Sequence, residues 1–138
     1  MTAGQLISEA QQAARHTYSP YSQFPVGAAL LLKNGTVIHG CNVENASFGL
    51  TNCAERTALF TAVASGQHPK LNDTTQGVAL AVWAKHTPNH GIPPCGACRQ
   101  VMLELLPPAT LVLTPHPSDA TRCLVFTVAT LLPHHFTL

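Results

Sequence analysis

Charge is scarce in this sequence. Asp, Glu, Lys and Arg make up only 9% of its 138 residues, against about 25% in ordinary domains. Seven basic and six acidic residues nearly cancel, leaving a net charge of +1. Proteins that grip polynucleotides usually carry a basic excess, so that class is disfavoured. Aromatic residues are 6% of the chain, too few for a platform that stacks single strands. No apolar run approaches the ~20 residues that span a bilayer; the longest are Val26–Leu32 and Val78–Ala84. The N-terminus has no basic stretch followed by an apolar one, so no signal peptide is expected. Five cysteines is an odd count. It speaks against a disulfide scaffold and for metal binding or catalysis in a reducing cytoplasm.

Apolar residues, by contrast, reach 46%. The length suits a single domain over residues 1–138. So few charged side chains cannot cover a lone small globule, and some surface is expected to be buried between subunits.

Ala3–His16 carries Leu6, Ile7, Ala10, Ala13 and Ala14 as a helical stripe, stopping before Ser19-Pro20. Pro25–Lys33 and Thr36–Asn42 read as strands joined by a tight turn at Asn34-Gly35. Asn45–Thr51 reads as loop. Cys53–Ser65 reads as a helix with Ala54, Ala58, Leu59, Ala62 and Val63 on one side. After the polar stretch Gly66–Gln76, Gly77–Lys85 is a strand apolar enough to be buried on both faces. His86–Pro94 is irregular. Helix resumes after Cys95, with Cys98, Val101, Met102 and Leu105 on one face, and Pro107-Pro108 ends it. Leu111–Thr114 and Arg122–Phe126 are short strands, and Val128–Leu132 is a last helical turn. This α/β alternation predicts one mixed sheet with helices on both faces.

Two clusters carry the chemistry: Cys53-Ala54-Glu55-Arg56, and Pro94-Cys95-Gly96-Ala97-Cys98-Arg99-Gln100. Cys95 and Cys98 are one helical turn apart, so both sulfurs share a face. Cys53 begins another helix. If those two helix N-termini meet, three thiols converge on one point. Three Cys ligands and an open fourth position describe a catalytic zinc site. Three thiolates and Zn²⁺ sum to −1, and two helix N-termini of about +0.5 each would offset that charge. The same field favours deprotonated thiols. Arg56 is placed to hydrogen-bond ligand sulfurs. Glu55 need not bind metal; beside activated water it can move a proton to a substrate nitrogen. Blander readings stay open. A C-x-x-C pair also suits redox chemistry or half of a zinc ribbon. Cys41 could close the site as a fourth ligand. Glu55 could be a capping-box residue three after Asn52. Cys41 and Cys123 otherwise read as core thiols, and His86, His90, His134 and His135 as loop residues.

The layout of three ligands, a non-ligand Glu and Pro-Cys-x-x-Cys is an established one among zinc deaminases. Asn42–Ala58 and Pro94–Val101 resemble the homotetrameric cytidine deaminases, as do Tyr18–Leu30 and the tail Leu131–Phe136. The resemblance implies a three-layer α/β/α fold around a mixed five-stranded sheet. It implies one Zn²⁺ per subunit on Cys53, Cys95 and Cys98, with Glu55 as proton shuttle and Arg56 behind the ligands. Asn42 and Glu44 would hydrogen-bond the ribose. The Ala54 N–H would meet the base carbonyl, Phe24 would pack on the base, and Tyr21 would lie near the sugar. Phe136 would reach a neighbouring subunit's site in a homotetramer, with Ala46 and Phe48 near the same boundary.

Three departures stand out. Pro93 replaces a common Ser, whose role is thought to be its carbonyl, which proline keeps. The 86–94 segment is longer than usual. Phe48 replaces a common Tyr and removes a hydroxyl. The expected reaction is hydrolysis of cytidine and 2′-deoxycytidine to uridine and 2′-deoxyuridine plus ammonia, in pyrimidine salvage in the cytoplasm. The expected partner is a small nucleoside, with no nucleic acid and no membrane. The rivals are deamination of another cytosine nucleoside such as blasticidin S, polynucleotide editing, and a structural zinc protein of oligomers.

Overall fold

The computed structural model describes residues 1–89 and 91–138. The reading of His90 as a loop residue falls outside them. In chain order the regular elements are α1 (Ala3–Ala13), β1 (Val26–Leu32), β2 (Val37–Cys41), α2 (Ala54–Ala64), β3 (Gly77–Ala84), α3 (Gly96–Leu105), β4 (Leu111–Pro115), β5 (Cys123–Thr127) and α4 (Val128–Leu131). Short 3₁₀ turns occupy Ala14–His16, Phe48–Leu50 and Asp73–Thr75. The five strands form one sheet in the order β2-β1-β3-β4-β5. Only β3 and β4 run parallel, so the sheet is mixed.

Alternation along the strands builds two cores. Ala28, Leu30 and Leu32 of β1 face α2, α3 and α4, together with Leu80 and Val112. Ala29 points the other way, joining Ala79, Ala81 and Leu113 under Leu6 and Ala10 of α1. The expected three-layer arrangement is what forms. The centre of the sheet is apolar on both sides because helices cover both faces. Among the described residues no helix is long and apolar enough to cross a membrane.

Two glycines set how closely helices approach the sheet. A Cβ on Gly27 would stand 1.8 Å from the Ala10 carbonyl of α1, and one on Gly40 would stand 2.3 Å from the Ala54 carbonyl of α2. Both clashes are with backbone, which cannot rotate aside. Gly40→Ala is expected to lower stability by about 1–3 kcal/mol or more through overpacking. It should also reduce zinc retention, because α2 carries Cys53. Denaturant melts paired with metal analysis check this, and an unchanged midpoint would refute the close approach.

Several boundaries differ from the sequence reading. The first helix ends at Ala13 because the chain turns to pair with residues 42–44. The Tyr18 N–H donates to the Asn42 carbonyl at 3.1 Å, and the Glu44 N–H donates to the Tyr18 carbonyl at 2.8 Å. The strand expected from Arg122 begins at Cys123 and runs to Thr127, because its register opposite β4 pairs Thr127 with Leu111. Thr127 then caps α4. Val63 is 39% exposed rather than part of the buried stripe, since nine residues of helix rotate it away from Ala54. Val78 is similarly 43% exposed at the start of β3. Cys41 and Cys123 are not core thiols. Both are only half-buried, at strand ends outside the two cores.

Candidate active site

Cys53 and Cys95 are the N-cap residues of α2 and α3, and neither helix start has a side-chain cap. An N-cap residue points its side chain along the unpaired N–H groups of the first turn. Each thiol therefore sits at the positive end of a helix. Cys98 lies in the first turn of α3, fully buried. The two helices pack side by side on one face of the sheet, and the three sulfurs lie within 4.8 Å of one another. The Cys53 and Cys95 sulfurs are 3.9 Å apart. Tetrahedral zinc with Zn–S bonds of about 2.3 Å separates its sulfurs by roughly 3.8 Å, so the donors fit the ion. Cys41 does not join them, and among the described residues no other group of three potential ligands forms.

The surroundings are arranged around sulfur charge. Arg56 Nη2 donates to Cys53 Sγ at 3.2 Å. The hydrogen bond with the Cys98 thiol, then the Arg56 guanidinium, holds the Cys53 thiol well below its usual value against the effect of burial. Cys98 is pushed up by that same hydrogen bond, by burial and by the Glu55 charge. Glu55 is only 5% exposed. Its Oε2 accepts from the Cys98 thiol at 3.3 Å. Burial, and secondarily the Cys53 charge, raises its carboxyl above the usual range. A carboxyl whose hold on its proton is strengthened by burial is chemically suited to acid–base work.

A cavity of about 230 Å³ opens against this centre, lined by Val26, Asn42, Thr51–Glu55, Ile92, Pro93 and Cys95. Ala54, Glu55, Asn42 and Pro93 therefore meet there. A neighbouring cavity of about 350 Å³ shares Thr51 and is lined by Tyr21, Ser22, Glu44 and Phe48. Tyr21 and Phe48 meet edge to face, ring centroids 6.3 Å apart. The Glu44 carboxyl is held below its usual value, first by the Ser22 hydroxyl and then by the backbone N–H groups of Ser22 and Tyr21.

Some expected site residues lie elsewhere. Phe24 does not line either cavity; its ring rests against His86, centroids 6.3 Å apart. Ala46 is exposed and lines neither. Phe136 is 69% exposed, with its carbonyl accepting from Gln100 Nε2 at 3.3 Å. Sequence reasoning missed Ile92, Thr51 and Asn52 as parts of the site. The 86–94 segment shapes the cavity wall through Ile92 and Pro93 rather than lying inert. Its mix of Pro, His, Asn and Gly carries no periodicity from which that contact could be read. Arg99 was also missed. It donates to the Pro94 carbonyl at 2.7 Å and the Leu131 carbonyl at 3.0 Å, clamping the loop before the ligand helix to α4.

Comparison with known proteins agrees with this geometry. Residues 2–114 match the family model described as the cytidine and deoxycytidylate deaminase zinc-binding region. The chain is 52% identical over 132 residues to a cytidine deaminase of Halalkalibacterium halodurans, covering 96% of this chain and 92% of that protein. It is 44% identical over 99 residues to a cytidine deaminase of Mycobacterium tuberculosis, covering 72% of this chain and 68% of that protein. A crystal structure of cytidine deaminase from Burkholderia pseudomallei matches with a TM-score of 0.85 at 48% identity, covering 99% of this chain and all of that one.

Proposed function

The chain belongs to the zinc-binding cytidine and deoxycytidylate deaminase family, and from that premise we propose which of its residues perform the reaction. The enzyme hydrolyses cytidine and 2′-deoxycytidine to uridine and 2′-deoxyuridine, releasing ammonia. The observation that carries this reading is the convergence of three cysteine sulfurs beside a buried carboxyl.

Zinc, when held by Cys53, Cys95 and Cys98, supplies the Lewis acidity that brings the pKa of water down to about 7. Arg56 and the two helix starts balance the excess negative charge of the sulfurs. Glu55 takes the proton of the attacking water and delivers it to N3 of the pyrimidine. It then carries the hydroxyl proton to the departing amine. Its burial keeps that shuttle from exchanging freely with solvent. The Ala54 N–H, at the unpaired first turn of α2, meets the base carbonyl, and the Pro93 carbonyl accepts from the substrate amine. Asn42 and Glu44 bind the sugar. Phe24, whose ring lies against His86 and lines neither cavity, is assigned to the base by the family resemblance alone, and Tyr21 is assigned to the sugar beside Glu44.

The partner is a small nucleoside, with no role for nucleic acid. The net charge of +1 supports this. A homotetramer with shared sites is supported by exposed Phe48 (76%), Leu50 (71%) and Phe136 (69%), since such side chains mark surfaces that bury between subunits. Ala46 and Phe48 lie at that boundary. A place in pyrimidine salvage follows from the nucleoside substrate, and a zinc cluster of cysteines with two further thiols outside any disulfide suits the cytoplasm.

Metal analysis together with ultraviolet monitoring of cytidine conversion tests the reading. Conversion by metal-free protein would overturn it. Phe136→Ala is expected to raise KM for cytidine about fivefold or more in an intact oligomer, the cost of losing an aromatic anchor. Kinetics run alongside sedimentation analysis check this, and unchanged kinetics would remove the contribution across subunits.

A further inference from the structure

We propose that Thr17 and Ser22 are positioning residues that act through Asn42 and Glu44, limiting what the sugar-binding pair can offer a ligand. The inference rests on the sugar-binding role given to that pair above. It follows from counting hydrogen-bonding capacity. The Asn42 amide has two acceptor sites on Oδ1 and two donor hydrogens on Nδ2. Oδ1 accepts the Val26 N–H at 3.0 Å and also the Thr17 hydroxyl. Nδ2 donates to the Phe24 carbonyl at 2.8 Å. One N–H is left without a partner among the described residues.

A carboxylate offers about four acceptor sites. Glu44 Oε1 takes the N–H groups of Tyr21 at 3.0 Å and Ser22 at 3.1 Å. Oε2 takes the Ser22 hydroxyl. One acceptor site remains. The pair therefore presents one donor and one acceptor, the complement of a single hydroxyl group. Without Thr17 the Asn42 oxygen would regain a free lone pair and could accept as well as donate. Without Ser22 the Glu44 carboxylate would lose its one side-chain anchor. That hydroxyl also accepts the Phe24 backbone N–H at 3.0 Å, which fixes its own orientation toward Glu44.

Thr17 also reaches the Asn42 carbonyl at 3.1 Å and Ser22 accepts the Phe24 N–H, but main-chain bonds carry the backbone here. The 17–18 segment is stitched to residues 42–44 by the main-chain bonds of Tyr18 described above, and Gln23 N–H donates to the Ser19 carbonyl at 2.9 Å. Thr17→Val and Ser22→Ala should therefore remove a contact while leaving the fold in place.

The test compares zinc-loaded enzymes on two substrates, cytidine and 2′,3′-dideoxycytidine, which lacks the 2′ and 3′ hydroxyls. Thr17→Val and Ser22→Ala are each expected to lower kcat/KM for cytidine about tenfold, mainly through KM, as lost uniform binding does. For dideoxycytidine the change should stay within about twofold, because the contact being positioned is absent. Thr17→Ser and Ser22→Thr should restore most of the loss. A structural role predicts equal falls on both substrates, and that result, like no fall on either, would overturn the inference. Asn42→Ala and Glu44→Ala in the same assay separate the two levels. If these change the substrate ratio and the hydroxyl variants do not, only the positioning role is lost. If they leave the ratio unchanged, the sugar assignment itself is wrong and the positioning role falls with it.

Discussion

Glu55→Gln is expected to cut kcat for cytidine by about 10³–10⁴-fold, the upper range for loss of a general acid–base group, while zinc stays at one per chain. The substitution preserves shape and hydrogen-bonding reach but removes the titratable proton. Metal should remain because the ligand cluster is made of cysteines alone. The fold should remain because glutamine fills the same buried volume with the same shape. The reaction needs one group to move protons to both a ring nitrogen and the leaving amine, and Glu55 is the one carboxyl buried in this cavity's wall. Metal content by atomic absorption, with turnover followed by ultraviolet absorbance, checks both halves. Turnover within tenfold of wild type would remove the proton-shuttle role.

Cys98→Ala is expected to empty the metal site and to destabilise the chain. Cys98 is fully buried and belongs to the main core with Met102 and Ala58. Its loss therefore leaves both an incomplete ligand set and a small void. Metal binding is linked to folding, and in zinc-finger peptides zinc contributes on the order of 10 kcal/mol. Losing even part of that should lower the thermal midpoint by many degrees. Cys95→Ala separates the two effects, because Cys95 is exposed and outside the core. It should lose zinc with a smaller packing cost. Stoichiometric zinc in purified Cys98→Ala protein would show that the ligand assignment is wrong.

Much of the site could be read before folding because its signals are local. Cys95 and Cys98 are one helical turn apart, and Arg56 is three residues from Cys53, to which it donates. Proline and glycine punctuation located the hairpin at Asn34-Gly35, where Gly35 adopts φ +89°. The parts that could not be read depend on distant pairs. Thr17 meets Asn42 across 25 residues and Ser22 meets Glu44 across 22. A hydroxyl in a loop has no pattern that names its partner. The two strand-end thiols were misplaced for a related reason. Cys41 and Cys123 sit in apolar runs, but the register of β2 and β5 leaves them at the rim.

The order of residues alone determined which atoms can ligate, since sulfur softness and helix-start spacing are properties of short segments. It also determined that both sheet faces would be covered, because apolar strands with helices between them cannot stay exposed. Only the tertiary structure decided that Cys53 comes within 3.9 Å of a cysteine 42 residues away, that Cys41 stays outside the cluster, and that Ile92 and Pro93 wall the cavity. Those outcomes come from how α2 and α3 seat against the sheet, at a distance set by glycines such as Gly40, where backbone touches backbone.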